Sequence, residues 1–90
     1  MFLVYSDENG KHLINLKEVI QIDSVWNKFT LKYQLRMSTT DVPGLVTIIE
    51  DKDKQIVNSV YLRIYAGITG QRTVIDVTDI TDKWLETKED

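Results

Sequence analysis

His12 is the only histidine in the chain. Its side chain ordinarily titrates near neutrality, so beside a carboxylate it can serve as a general base. It has no second imidazole and no cysteine with which to hold zinc, since the chain contains no cysteine at all. The plainer reading is an exposed or half-buried histidine at the start of a hairpin strand. Asp76, Asp79 and Asp82 recur every third residue. Carboxylates suit hard cations such as Mg²⁺ or Ca²⁺, but the spacing departs from the calcium-loop pattern and lacks its glycine. Acidic residues at the start of a helix, as caps and dipole partners, account for the same run. Asp51 and Asp53 read the same way.

Two further groups suit binding better than catalysis. Lys28, Thr30, Lys32, Gln34, Arg36 and Ser38 share the polar parity of one alternating segment. If the preceding turn preserves that parity, Trp26 joins them. Cations along a sheet face beside an aromatic ring are what single-stranded nucleic-acid platforms use. Lysines on a solvated strand also guard against edge pairing, which is the simpler account of Lys28, Lys32 and Arg36. Tyr61 and Tyr65 fall one helical turn apart, and tyrosines are frequent anchors of protein interfaces. Packing on a sheet is the competing role. The acidic stretch from Asp76 to Asp90 could occupy a basic groove, although a solvated helix face explains it as well. The four glycines, Gly10, Gly44, Gly67 and Gly70, sit where turns are expected. None belongs to a phosphate-binding loop, so no cofactor is expected.

These residues have to be placed by an alternation of short elements. Phe2 to Ser6 and Lys11 to Leu16 flank Asn9-Gly10, a strong hairpin signal. Val19 to Ile22 reads as a strand, and Ser24 to Asn27 as a turn. Phe29, Leu31, Tyr33, Leu35 and Met37 alternate with polar residues, which predicts a strand with one buried and one wet face. Such a pattern implies antiparallel pairing. Asp41-Val42-Pro43-Gly44 predicts a turn, and Leu45 to Ile49 another strand. Residues 51–67 fit two patterns. Ile56, Val57, Val60, Tyr61, Ile64 and Tyr65 recur at helical spacing, with Asp51 or Asp53 as a cap and Gly67 as the stop. Val60, Leu62 and Ile64 also alternate as a strand would. The length of the segment favours a helix. Thr69 to Gln71 predicts a turn, Thr73 to Val77 a strand, and residues 80–88 a terminal helix capped by Asp79 and anchored by Trp84. Lys88 to Asp90 are expected to fray.

The 90 residues support one domain, residues 1–90, with a modest core. Hydrophobic residues are 42% and charged residues 28%, which is a globular composition and not a disordered one. The formal net charge of -3 argues against a general electrostatic grip on nucleic acid. That charge resides in the tail: residues 1–45 carry five cations and five anions, whereas residues 76–90 carry two and six. A small secreted chain commonly carries disulfides, and no signal-peptide pattern or membrane-length apolar run appears. A cytoplasmic protein without membrane contact is therefore expected.

The expected fold is α+β: an antiparallel sheet of about five or six strands, with a middle helix and a short C-terminal helix packed on one face. The run from Leu13 to Ile22, followed by an alternating strand and ending in a helix, is similar in pattern to small pleckstrin-homology-like domains. That likeness covers about a third of the chain and carries no functional residue with it. The expected function is non-enzymatic binding or regulation through protein–protein contacts, as a homodimer, with Tyr61 and Tyr65 at the interface. The alternatives are a single-stranded nucleic-acid binder using Trp26, Lys28, Lys32 and Arg36, and a small enzyme using His12 with a carboxylate.

Overall fold

The computed structural model describes residues 1–40 and 44–87. Strands β1 (Phe2–Asp7) and β2 (Gly10–Asn15) form the first hairpin, with Leu3 opposite Ile14 and Tyr5 opposite His12. Gly10 has a φ of 122°, which a side chain would resist, and the Asp7 carboxylate accepts the Asn9 N–H at 2.8 Å. The chain turns a corner through one 3-10 turn, Leu16–Glu18, into β3 (Val19–Asn27). β4 (Lys32–Thr39) and β5 (Leu45–Asp51) complete a meander. Helix α1 (Lys54–Thr69), strand β6 (Val74–Asp76) and helix α2 (Thr78–Thr87) follow.

Six strands and two helices bear out the α+β class, but they make two sheets where one was expected. One sheet has the order β2-β1-β6 and the other β3-β4-β5. β6 runs parallel to β1, with Leu3 opposite Ile75, so the first sheet is mixed. No local pattern announces that pairing, because its partners lie some seventy residues apart. α1 contacts β3, β4 and β5 on one side and β6 on the other, so it joins the two sheets. The core comprises Leu3 and Tyr5 of β1, Leu35 and Met37 of β4, Ile48 and Ile49 of β5, and Val57, Val60 and Ile64 of α1. Ile75, Val77 and Trp84 complete it. Burying side chains of this size contributes about 1.5–3 kcal/mol each before entropy is counted. Among the described residues, no helix is long and apolar enough to cross a membrane.

The middle segment is a helix. Its buried residues Val57, Val60, Ile64 and Gly67 lie on one stripe, and Leu62, which a strand would bury with Val60 and Ile64, is exposed. Asp53 caps it by accepting the Gln55 N–H at 2.9 Å. Gly67 is not its stop, because the helix continues to Thr69 and Gly70 is the cap. Gly67 instead permits a close helix–strand approach: a Cβ there would lie 2.5 Å from Ile75 Cγ1. At the second helix the expected boundary moves. It begins at Thr78, whose N–H and hydroxyl both reach the Asp76 carboxylate (2.9 and 2.6 Å). Asp79 lies inside the helix and pairs with Arg63 across to α1 at 3.2 Å. Trp84 anchors α2 as expected, donating its indole N–H to the Asp51 carboxylate at 2.9 Å.

The β3–β4 hairpin departs most from the sequence reading. Residues 24–27 continue β3, and Phe29 and Leu31 lie in the turn before β4 begins. Asn27 is the turn former: its carboxamide oxygen accepts the N–H of Phe29 and of Thr30 (2.9 and 3.3 Å), and its carbonyl accepts that of Leu31 at 2.8 Å. Leu31 is left with a φ of 58°. The turn expected at Asp41 to Gly44 lies mostly outside the described residues, as do Lys88 to Asp90. Gly44 itself has a φ of 77°.

Candidate binding surface

The two flanks of α1 are finished differently. On one flank Arg63 pairs with Asp79, while Ile56 and Ser59 line a cleft with Ile80 and Trp84 of α2. Ala66 and Gly67 face Val74 and Ile75 on the same side. The other flank runs along β3. Lys54 Nζ stands 6.0 Å from the centre of the Tyr33 ring at one end. At the far end Ile68 lines an open, mainly apolar groove of about 460 Å³ with Met1, Leu16, Val19, Ile20 and Ile22. Tyr61 and Tyr65 fall on the strip between Lys54 and Ile68, because steps of seven, four and three residues keep to one helical face. The structure therefore places both expected interface tyrosines on the open flank. Tyr61 packs partly against the core, and Tyr65 is 59% exposed with Leu62 exposed beside it.

β3 borders this strip as an edge strand. Ile20 is 69% exposed and Trp26 50%. Beyond Trp26 the hairpin tip presents Phe29, 87% exposed, and Leu31, with Lys28 Nζ 5.5 Å from the centre of the Phe29 ring. Large apolar side chains exposed together in this way mark interaction surfaces. Leu31 holds a backbone region that costs a side-chain-bearing residue about 1–2 kcal/mol and gains little burial in return. Strain of this kind at an exposed tip points to a role outside the isolated fold.

The four residues expected to form a nucleic-acid face are not brought together. β3 pairs with β4 so that Trp26 lies opposite Tyr33, Ser24 opposite Leu35 and Ile22 opposite Met37. Trp26 thus shares the core-directed face, its ring centre 4.7 Å from that of Tyr33. Lys32 and Arg36 project from the opposite face, opposite Asn27 and Asp23. Lys28 is in the turn. The expected parity fails because residues 24–27 are strand. On the polar face Gln34 is buried and donates to Glu50, which also lies 3.8 Å from Lys32 Nζ. Arg36 Nε is buried and has no hydrogen-bond partner among the described residues.

His12 does meet a carboxylate. Its Nε2 lies 2.7 Å from Asp7 Oδ1, and its ring stacks on Tyr5 with centres 5.0 Å apart. Both contacts follow from the register, which sets His12 opposite Tyr5 and diagonal to Asp7. Partial burial acts to raise the Asp7 pKa, but the bonds from His12 and from the Asn9 and Gly10 N–H groups outweigh it and hold the carboxyl below its ordinary range. Burial, and then the Asp7 charge, raise the Tyr5 phenol. The contact ties the two strands of the hairpin together. Asp76 is held below its ordinary range by its bonds from Thr78. Among the described residues no three His, Asp or Glu side chains are grouped to hold a metal.

Searches of protein-family models, of curated proteins and of solved structures each return no match to this chain. The pattern likeness to pleckstrin-homology-like domains has no counterpart among them.

The sequence pointed to Tyr61, Tyr65 and Trp26 but missed the exposed tip and the groove. Phe29 and Leu31 looked like core because they continue an alternation. Asn27 was the available signal, as asparagine readily closes a turn.

Proposed function

We propose that this chain is a small non-enzymatic binding module that works as a homodimer, joined along the open flank of α1 and the neighbouring edge of β3. The observation that carries this reading is the unfinished flank. Tyr65, Leu62 and Ile20 are exposed beside the groove that Ile68 shares with β3. A monomer gains nothing by leaving these side chains in water, whereas a second copy can bury the same set twice. The flank carries few charges, with Lys54 at one end and Lys17 at the rim of the groove. β3 carries only Asp23, and from Tyr61 to Ile68 on α1 only Arg63 is charged, which turns to the other side. That favours self-association of a chain whose net charge is -3. In the dimer the polar face of β4 and the acidic surface of α2 stay open to a protein partner.

Light scattering across a concentration series tests the reading. The expected result is twice the 10.5 kDa chain mass at high concentration. Tyr65→Glu should return the monomer mass with an unchanged circular dichroism spectrum. A chain of monomer mass at every concentration would sink the reading.

A further inference from the structure

We infer that two copies pair antiparallel through β3 with Ser24 opposite itself, so that the hairpin tip of each copy fills the apolar groove of the other. This inference rests on the homodimer reading and specifies its geometry.

The choice of strand follows from how the edges are guarded. β6 has three residues and β2 carries Lys11, two ordinary protections against edge pairing. β5 borders a cleft shared with Asp7, Asn9 and Trp84. β3 has nine residues, no lysine and no proline, and only a register shift near Ile20 interrupts it. At about 3.3 Å per residue it offers some 30 Å of free edge.

Charge and parity then select the register. Asp23 is the only charged residue of β3, so a pairing that opposes Asp23 to the partner's Asp23 is disfavoured. Centring the pair on Ile22 would set Trp26 against Glu18 of the partner subunit and Ile20 against the partner's Ser24. Centring on Ser24 sets Trp26 against the partner's Ile22, an aromatic ring on a β-branched side chain, on the face that α1 covers. In that register Lys28 and Phe29 come level with the partner's Ile20 and the partner's Val19. Those two residues line the groove with Met1, Leu16, Ile22 and Ile68, while Lys17 and Gln21 add polar atoms to its wall. Phe29, 87% exposed, thereby reaches the open, mainly apolar groove, and the two-fold axis repeats the contact. Leu31 accompanies Phe29, which gives the strained turn a purpose. The result is one six-stranded sheet in the order β5-β4-β3-β3-β4-β5.

The absence of native cysteine makes the test direct. Ser24→Cys places two thiols across the axis at the separation a disulfide needs, since opposed residues of an antiparallel pair lie about 4.5–5.5 Å apart. Under mild oxidation it should give a covalent dimer on a non-reducing gel, while Ser59→Cys, exposed on the closed flank of α1, should not. Phe29→Ser should raise the dimer dissociation constant at least tenfold with the melting temperature of the dilute monomer unchanged. If the wild type has dimer mass but only Ile22→Cys or Asp23→Cys crosslinks, or if Phe29→Ser leaves the dissociation constant unchanged, the register or the tip contact is wrong and the homodimer reading survives. A wild type of monomer mass at all concentrations removes both.

Discussion

α1 is held on two flanks by different means. Toward β6 and α2, one chain supplies everything: a glycine where the backbones approach and an ion pair to α2, which an indole hydrogen bond in turn ties to Asp51 of β5. Toward β3 the same helix ends in exposed tyrosine, leucine and isoleucine beside an edge strand. Burial on the closed flank sustains the monomer. Exposure on the open flank adds nothing to it. Substitutions should therefore sort by flank: those on the closed flank change folding stability, and those on the open flank change association.

The largest effect is expected from Trp84→Ala. It removes a core ring and leaves the Asp51 carboxylate without its indole donor, so chemical denaturation should show a loss of about 3–5 kcal/mol. Gly67→Ala should come next. The new methyl would stand 2.5 Å from Ile75 Cγ1, so the buried Ile75 side chain has to shift, and this overpacking should cost about 1–3 kcal/mol, only partly offset by better helix propensity. On the open flank, Tyr65→Ser should change monomer stability by no more than about 0.5 kcal/mol while weakening the dimer. Comparable denaturation midpoints for Gly67→Ala and Tyr65→Ser in dilute protein would break the contrast.

Leu31→Gly sharpens it, because the two properties should move in opposite directions. Relief of the φ of 58° should stabilise the dilute monomer by about 0.5–1 kcal/mol, and loss of the side chain should weaken association. The smallest effect belongs to two surface carboxylates. Asp7 and Asp76 have folded-state pKa values below their ordinary range, so each binds its proton less tightly folded than unfolded. Their contribution is present above the unfolded aspartate pKa of about 3.9 and is lost as pH falls through the lower folded values. Melting temperatures of the Asp7→Asn, Asp76→Asn double variant should fall less steeply than those of the wild type below that pH.

Much of this contrast is legible in the sequence. The first hairpin followed from Asn9-Gly10, the middle helix from the spacing of Val57, Val60 and Ile64, and the α2 anchor from Trp84. Three features were out of reach of local pattern. The parallel pairing of β1 with β6 joins opposite ends of the chain. The role of Gly67 depends on Ile75 of β6 lying against α1. The parity of Trp26 turned on whether residues 24–27 were turn or strand, and a one-residue change of that kind moves a side chain to the other face of a sheet. That same misreading hid the exposed tip, because Phe29 and Leu31 matched an alternation that begins only at Lys32.

The central claim, that the open flank is where two copies meet, is tested most directly by amide hydrogen exchange at two protein concentrations well apart. The outward N–H groups of an edge strand exchange quickly unless a partner strand covers them. The account predicts that protection within Val19–Asn27 rises with concentration while that of β6 and α2 stays constant. Equal exchange across β3 at both concentrations, in protein shown to be of dimer mass at the higher one, would contradict it.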